Sequence, residues 1–231
     1  MVEQEQARLI VVRHCEAMGN HLRIFQGSTD CDITENGAHQ LDALAERMRE
    51  FPFQAAYSSP LLRAYKTAQA ANRYYGLPIT TDDRLAEIHG GCWEGKKWAD
   101  FPSLYPEDSY AWNNEPWRFH PEGGEAMREV YDRVWAVVTE IAAHHFGQSV
   151  LVASHGCAIR NLLCRAHGWE IERLNDVEWC DNTAISIIAF DRELHPHILL
   201  ENDSSHLTEQ LSTFAKQSWW RRENREAMQF E

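Results

Sequence analysis

Three short segments of this chain place chemistry-bearing side chains directly after an apolar run. Arg13-His14 follows Leu9 to Val12, Ser154-His155-Gly156 follows Val150 to Ala153, and Ser58-Ser59-Pro60-Leu61-Leu62-Arg63 follows Gln54 to Tyr57. An imidazole can attack an electrophile or exchange protons near neutral pH, and an arginine fork binds phosphate oxygens two at a time. Two arginines, two histidines and two helix N-termini in one place would make an anion trap of the phosphate kind. In an open α/β sheet, ligands collect where strands end and helices begin, so the three segments meet if their runs are parallel strands of one sheet. A lone strand-end arginine or histidine is ordinarily a solvated or structurally bonded side chain; the ordered set of three is what singles these out.

The elements needed to position them are legible. Arg8 to Val12, Gln54 to Tyr57, Ser149 to Ala153, Ala184 to Phe190 and, more weakly, His197 to Leu200 read as buried strands. Thr34 N-caps a helix through Glu50 with Leu41, Leu44, Ala45 and Met48 on one face. Ser59-Pro60 opens a second helix through about Tyr75, with Pro at its first position and Gly76 beyond its end. A third helix spans Glu125 to His145, and another begins near Ala158. Alternating strands and helices predict a three-layer α/β/α sandwich with a mostly parallel central sheet, in one domain over 1–231. Residues 93–124, with Trp93, Trp98, Trp112 and Trp117 among four prolines, are too long for a plain connection and read as an inserted aromatic lid. The four tryptophans predict either a leaving group with an apolar face or simply the lid's own small core. The tail, about 204–231, reads as a C-terminal helix carrying Leu207, Leu211, Phe214 and Trp219-Trp220 on a docking stripe, with a fraying charged end.

Composition narrows the partners. A formal charge of −13 repels polyanions and acidic lipid surfaces, so neither nucleic acid nor membrane is expected. The expected partners are a small phosphorylated substrate and, at most, a second copy of the chain in a homodimer. The apolar run near the start is too short for a signal segment, which predicts a cytoplasmic protein. Cys15, Cys31, Cys92, Cys157, Cys164 and Cys180 show no paired spacing and read as free thiols. His14, His155, Glu87, His89 and Cys92 are metal-ligand types without ligand spacing, and two arginines among them would repel a cation; no metal and no cofactor is expected. The histidine pairs His144-His145 and His195-Pro196-His197 read as surface imidazoles.

With these blocks in order, the sequence resembles the histidine phosphatase superfamily, the phosphoglycerate mutase-like family. Its R-H-G signature reads Arg13-His14-Cys15 here. Glu16 to Asn20, Gln26-Gly27-Ser28-Thr29-Asp30, Ile33 to Gly37, Glu87 to Gly95 and Gly123-Gly124-Glu125 are similar to further family blocks, over roughly residues 8 to 190. The resemblance implies that His14 is the nucleophile of a phosphohistidine intermediate and that Arg13, Arg63 and His155 hold the equatorial phosphate oxygens. It implies Glu87 as the acid for the leaving alkoxide. Asn20 and Gln26 would add uncharged hydrogen bonds, and Gly27 and Gly156 would line the substrate site. Cys in place of Gly at position 15 raises the question of the tight backbone beside the nucleophile.

Within the family, a mutase must hold a doubly charged bisphosphate. Between Ile88 and Gly124 the chain has Lys96, Lys97 and Arg118 against six acidic residues. Glycolytic members of the family carry Arg and Tyr where Ile88 and Gly90 stand here. Hydrolysis of a phosphomonoester is therefore the expected function, with mutase-type phosphoryl transfer the alternative and a non-catalytic phospho-ligand module a more distant one. Cys15 carries two readings: a thiolate activated by the neighbouring arginines, or a small apolar residue filling space beside the strand.

Overall fold

The computed structural model describes residues 6–217. Six strands, β1 (Ala7–Arg13), β2 (Ala55–Ser58), β3 (Ile79–Thr81), β4 (Ser149–Ser154), β5 (Ile185–Phe190) and β6 (Pro196–Asp203), form one sheet in the order β3-β2-β4-β1-β5-β6. The pairs β1/β4, β2/β4 and β2/β3 are parallel, while β5 and β6 run antiparallel. The helices are α1 (Met18–Leu22), α2 (Glu35–Met48), α3 (Leu62–Ala71), α4 (Phe101–Leu104), α5 (Pro106–Asn114), α6 (Met127–His144), α7 (Gly156–Ala166) and α8 (Thr213–Lys216).

The period-two pattern of β1 divides its side chains between two cores. Leu9 and Val11 join Val150 and Val152 under Val130, Val134, Val137 and Ile141 of α6 and Ile159 and Leu162 of α7. Ile10 and Val12 join Leu151 under Leu41, Leu44 and Met48 of α2 and Ala71 of α3. Each such side chain contributes roughly 1.5–3 kcal/mol on burial, so the three layers follow from strands apolar on both faces.

Several boundaries move. Thr34 does cap α2, its hydroxyl accepting from Gly37 N at 2.9 Å. The second helix is shorter than expected: α3 starts at Leu62 with Leu61 in the N-cap position, so Pro60 lies outside it, and Asn72 ends it. α7 starts at Gly156 rather than near Ala158. Strand β3 escaped the sequence reading because three half-exposed edge residues show no alternation.

Residues 93–124 fold as short helices around an aromatic cluster that is continuous with the core on the α6 and α7 side of the sheet. Trp93, Phe101 and Phe119 are buried; Trp93 stacks on Phe101 at 3.7 Å, and Phe25, Trp98 and Trp112 close around them. The tail does not form the expected amphipathic helix within the described residues. Residues 204–212 are turns and α8 has four residues, because this segment docks through polar groups. Gln40 Nε2 donates to Leu211 O at 2.8 Å, and Asp181 accepts from Thr213 N and Phe214 N. Trp219 and Trp220 lie outside the described residues. Among the described residues no helix is long and apolar enough to cross a membrane.

Candidate active site

The parallel register of β1 and β4 sets Arg13 opposite Ser154, so His14 and His155 leave the sheet side by side, ring centroids 5.1 Å apart. His14 Nδ1 lies 2.6 Å from the carbonyl of Cys15, which accepts its proton and leaves the lone pair on Nε2. Its backbone is clasped from β4 and from the turn before β5: His14 N donates to Ser154 O at 2.9 Å, and Asn182 Nδ2 donates to His14 O at 2.8 Å. Burial, then the charges of Arg63 and Arg13, hold the His14 imidazole well below its ordinary pKa, so the ring is neutral.

The two arginines are fixed by backbone carbonyls. Arg63, fully buried at the start of α3, donates from Nη1 to Thr29 O and from Nη2 to Gln26 O and Gly27 O, each at 2.8–2.9 Å. Arg13 donates from Nη1 to Cys180 O. In both, the buried Nε–H has no partner among the described residues, and neither guanidinium makes a carboxylate pair. The Nε–H of each, with its buried positive charge, remains for an anion.

His155 stands beside the two arginines without a charge of its own. Burial, with Arg63 the next cause, drives its pKa well below 6.5, so it enters as a neutral ring. Its Nε2 is 2.7 Å from Ser59 Oγ, and Nδ1 is buried and unpartnered among the described residues. Ser59 thus engages one ring nitrogen and leaves Nδ1 for a hydrogen bond to a ligand, without a charge.

The helix N-termini are a correction, because both are occupied by carboxylates of the protein itself. Asp30 Oδ1 accepts from Leu62 N at 2.8 Å, capping α3 from a distant loop. Glu87 accepts from Cys157 N at 3.0 Å and Ala158 N at 3.1 Å, so the α7 amides hold the acid instead of phosphate.

Asn20 lies within α1 and Gln26 in the segment that follows it. Asn20 Oδ1 accepts from Ala17 N at 3.0 Å, which turns its amide to serve α1. Gln26 Oε1 is buried without a partner among the described residues, above Gly19, where a Cβ would lie 2.3 Å from it. Gly27 has no room for a side chain, since a Cβ would lie 2.1 Å from Ile88 O; its contribution is the carbonyl that orients Arg63. Gly156 lets the α7 turn approach Arg13, its Cβ position being 3.3 Å from Arg13 Nε.

Four further residues complete the site: Thr67 and Asn182, which carry no sequence signal, and Ser59 and Glu94, which stand inside the sequence blocks without a role of their own. Thr67 Oγ1 accepts from Cys15 N at 3.0 Å, Ser59 orients His155, and Asn182 holds His14. Glu94 accepts from Ser28 N at 2.8 Å, Thr29 N at 3.0 Å and Gly90 N at 2.8 Å, welding the loop that orients Arg63 to the segment after Glu87. Apart from the local Gly90–Glu94 bond, these links join residues 52 to 168 positions apart, which only the folded chain brings together.

Cys15 is packing. Burial pushes its thiol up to about 12 despite the nearby cations, and no left-handed backbone is needed there. The lid also lacks a second anion site. A Cβ at Gly90 would lie 2.2 Å from Phe25, Lys96 is turned to Cys92 O, Arg118 pairs with Glu115, and Lys97 is exposed. Among the described residues, potential metal ligands gather at Asp191, Glu193 and His195 on the exposed β5–β6 turn, remote in the sheet from the strand ends that carry His14 and His155. His145 is half-buried against Tyr57, 3.0 Å from its hydroxyl, rather than a free surface imidazole.

The family model of the histidine phosphatase superfamily, branch 1, matches residues 9–204. The chain belongs to that superfamily. It is 34% identical over 205 residues to phosphoserine phosphatase 1 of Hydrogenobacter thermophilus, covering 87% of this chain and 95% of the relative. A metal-independent phosphoserine phosphatase of Arabidopsis thaliana is 32% identical over 71% of this chain and 70% of its own. The solved structure of Bacillus stearothermophilus YhfR superposes with a TM-score of 0.82 at 30% identity, over 87% of this chain and 98% of that one. A mycobacterial glucosyl-3-phosphoglycerate phosphatase solved with VO3 gives 0.77 at 25% identity, over 85% and 99%. This histidine phosphatase is a phosphomonoester hydrolase.

Proposed function

We propose that this enzyme hydrolyses small alkyl phosphates through a phosphohistidine on His14, without a metal. The observation that carries the reading is the neutral His14 ring, its Nδ1 proton given to Cys15 O, its Nε2 free, flanked by two guanidiniums. The Nε2–P bond forms as the ester P–O bond breaks, and the leaving oxygen takes a proton from the Glu87 carboxyl. Water then attacks phosphorus, the Glu87 carboxylate takes its proton, and the P–N bond breaks to restore neutral His14. Arg13, Arg63 and the His155 Nδ1–H serve the equatorial oxygens, where charge develops in a loose transition state. Two fixed guanidiniums replace a divalent ion as the source of positive charge.

The names of the relatives support a three-carbon acid ester as substrate, with phosphoserine heading the panel. Hydrolysis rather than transfer is supported by the closed space at Gly90 and the engaged lid cations. The test is acid-labile label from radioactive substrate, trapped on the native enzyme and absent from His14→Asn. Label on another residue, or activity of His14→Asn within tenfold of native, overturns the reading. A mutase would instead return the label to a second phosphoester and release little inorganic phosphate.

A further inference from the structure

Arg133, on α6, lies apart from the two arginines of the site, yet its guanidinium uses all five N–H donors, two on Glu125 and three on the stretch from Arg84 to Glu87. Nε and Nη2 donate to the Glu125 carboxylate at 2.5 and 2.9 Å. Nη1 donates to Arg84 O at 2.8 Å and Ala86 O at 2.9 Å, and Nη2 also donates to Glu87 O at 3.2 Å. Glu125 in turn bonds the residue two places beyond Glu87: its N–H donates to His89 O at 2.8 Å, and its Oε2 accepts from His89 N at 3.3 Å. Both side chains are largely withdrawn from water, 19% and 17% exposed.

The main chain of Glu87 is thus gripped from α6, while its carboxylate is gripped by the amides of α7. The same fork stands at the root of the lid, which leaves the body after Ile88 and returns at Glu125. Neither Arg133 nor Glu125 hydrogen-bonds Arg13, His14, Arg63 or His155.

We propose that the Arg133–Glu125 fork is a positioning device for proton delivery, setting where the Glu87 carboxyl meets the leaving oxygen and tying that placement to the lid. The inference rests on the reading of Glu87 as the acid. A misplacement of the order of 1 Å can lower a rate by about a hundredfold, and it does so only for reactions that need the misplaced group.

The experiment compares phosphoserine, whose alkoxide needs a proton, with 4-nitrophenyl phosphate, whose phenolate leaves without one. Arg133→Met, Arg133→Lys and Glu125→Gln, checked for native melting behaviour, are measured beside Glu87→Gln. The expected result is a fall in kcat on phosphoserine of roughly 30-fold or more for each fork variant, with KM little changed, and a loss of no more than about threefold on the nitrophenyl ester. Arg133→Lys keeps the charge without the fork and fails like Arg133→Met; rescue by lysine overturns the geometric role. Equal losses on both esters in the fork variants, with Glu87→Gln selective, make the fork structural only and overturn the inference. Equal losses in Glu87→Gln itself overturn the acid assignment instead, so the two failures are distinguishable.

Discussion

The proposed nucleophile, His14, is suited to that role by its surroundings more than by its type. A buried histidine held neutral is reactive at Nε2 only if the other nitrogen keeps the proton, which the Cys15 carbonyl ensures. The same burial links stability to pH. His14 and His155 both have folded pKa values depressed below the unfolded value near 6.5, so the unfolded chain binds more protons in acid. Their contribution is complete above about pH 6.5 and is lost as the pH falls below it, at about 1.4 kcal/mol per histidine for each pH unit while the folded rings stay neutral. Urea unfolding at pH 7.5 and 5.5 should show that decline in the native chain and a shallower one in His155→Asn. Cys15 gives the opposite expectation: with its thiol near 12, on the order of one molecule in ten thousand is thiolate at pH 8. Cys15→Ala should therefore lose activity to peroxide at the native rate, measured by nitrophenyl phosphate turnover over time.

At the scale of elements, two helices that the sequence offered as anion sites instead anchor protein carboxylates. Asp30 caps α3, the helix that carries Arg63, from 32 residues away. Asp30→Ala should lower stability by about 1 kcal/mol, as a lost cap does, and weaken vanadate inhibition because Arg63 loses the firm start of its helix. Thermal unfolding and an inhibition curve check the two halves separately. The lid's aromatic cluster extends the main core: Trp93→Ala leaves a cavity among Phe101, Phe119 and Phe25 and should cost about 3–5 kcal/mol. Thermal unfolding measures that cost. The aromatic residues that looked like a platform for the leaving group mostly face one another.

For the molecule as a whole, the charge balance sets the kinetics. A chain of formal charge −13 repels a phosphate dianion at a distance, and only the buried pair of arginines reverses the sign locally. Salt that screens the outer field should raise kcat/KM for phosphoserine modestly at low ionic strength, whereas a protein that steered its substrate electrostatically would slow. Prolonged chelation should leave turnover unchanged, and vanadate, a mimic of the five-coordinate phosphoryl group, should inhibit. A rate restored only by a divalent ion would contradict the two-arginine cradle.

Five of the six strands, the three layers and the blocks that hold Arg13, His14, Arg63, Glu87 and His155 were legible in the sequence itself. Each depends on local signals: apolar runs flanked by turn residues, a threonine cap at Thr34, and short blocks whose spacing is fixed along the chain. What the blocks do to one another depends on which strands become neighbours. Because β1 lies between β4 and β5, His14 receives Ser154 on one side and Asn182 on the other; because α7 follows β4, its amides meet Glu87 and not the phosphate. The neutrality of His155, the inert thiol of Cys15 and the saturated fork of Arg133 are properties of burial and of donors supplied from tens of residues away. No local pattern carries them, since desolvation and hydrogen bonding act through space, and the tertiary structure alone decided them.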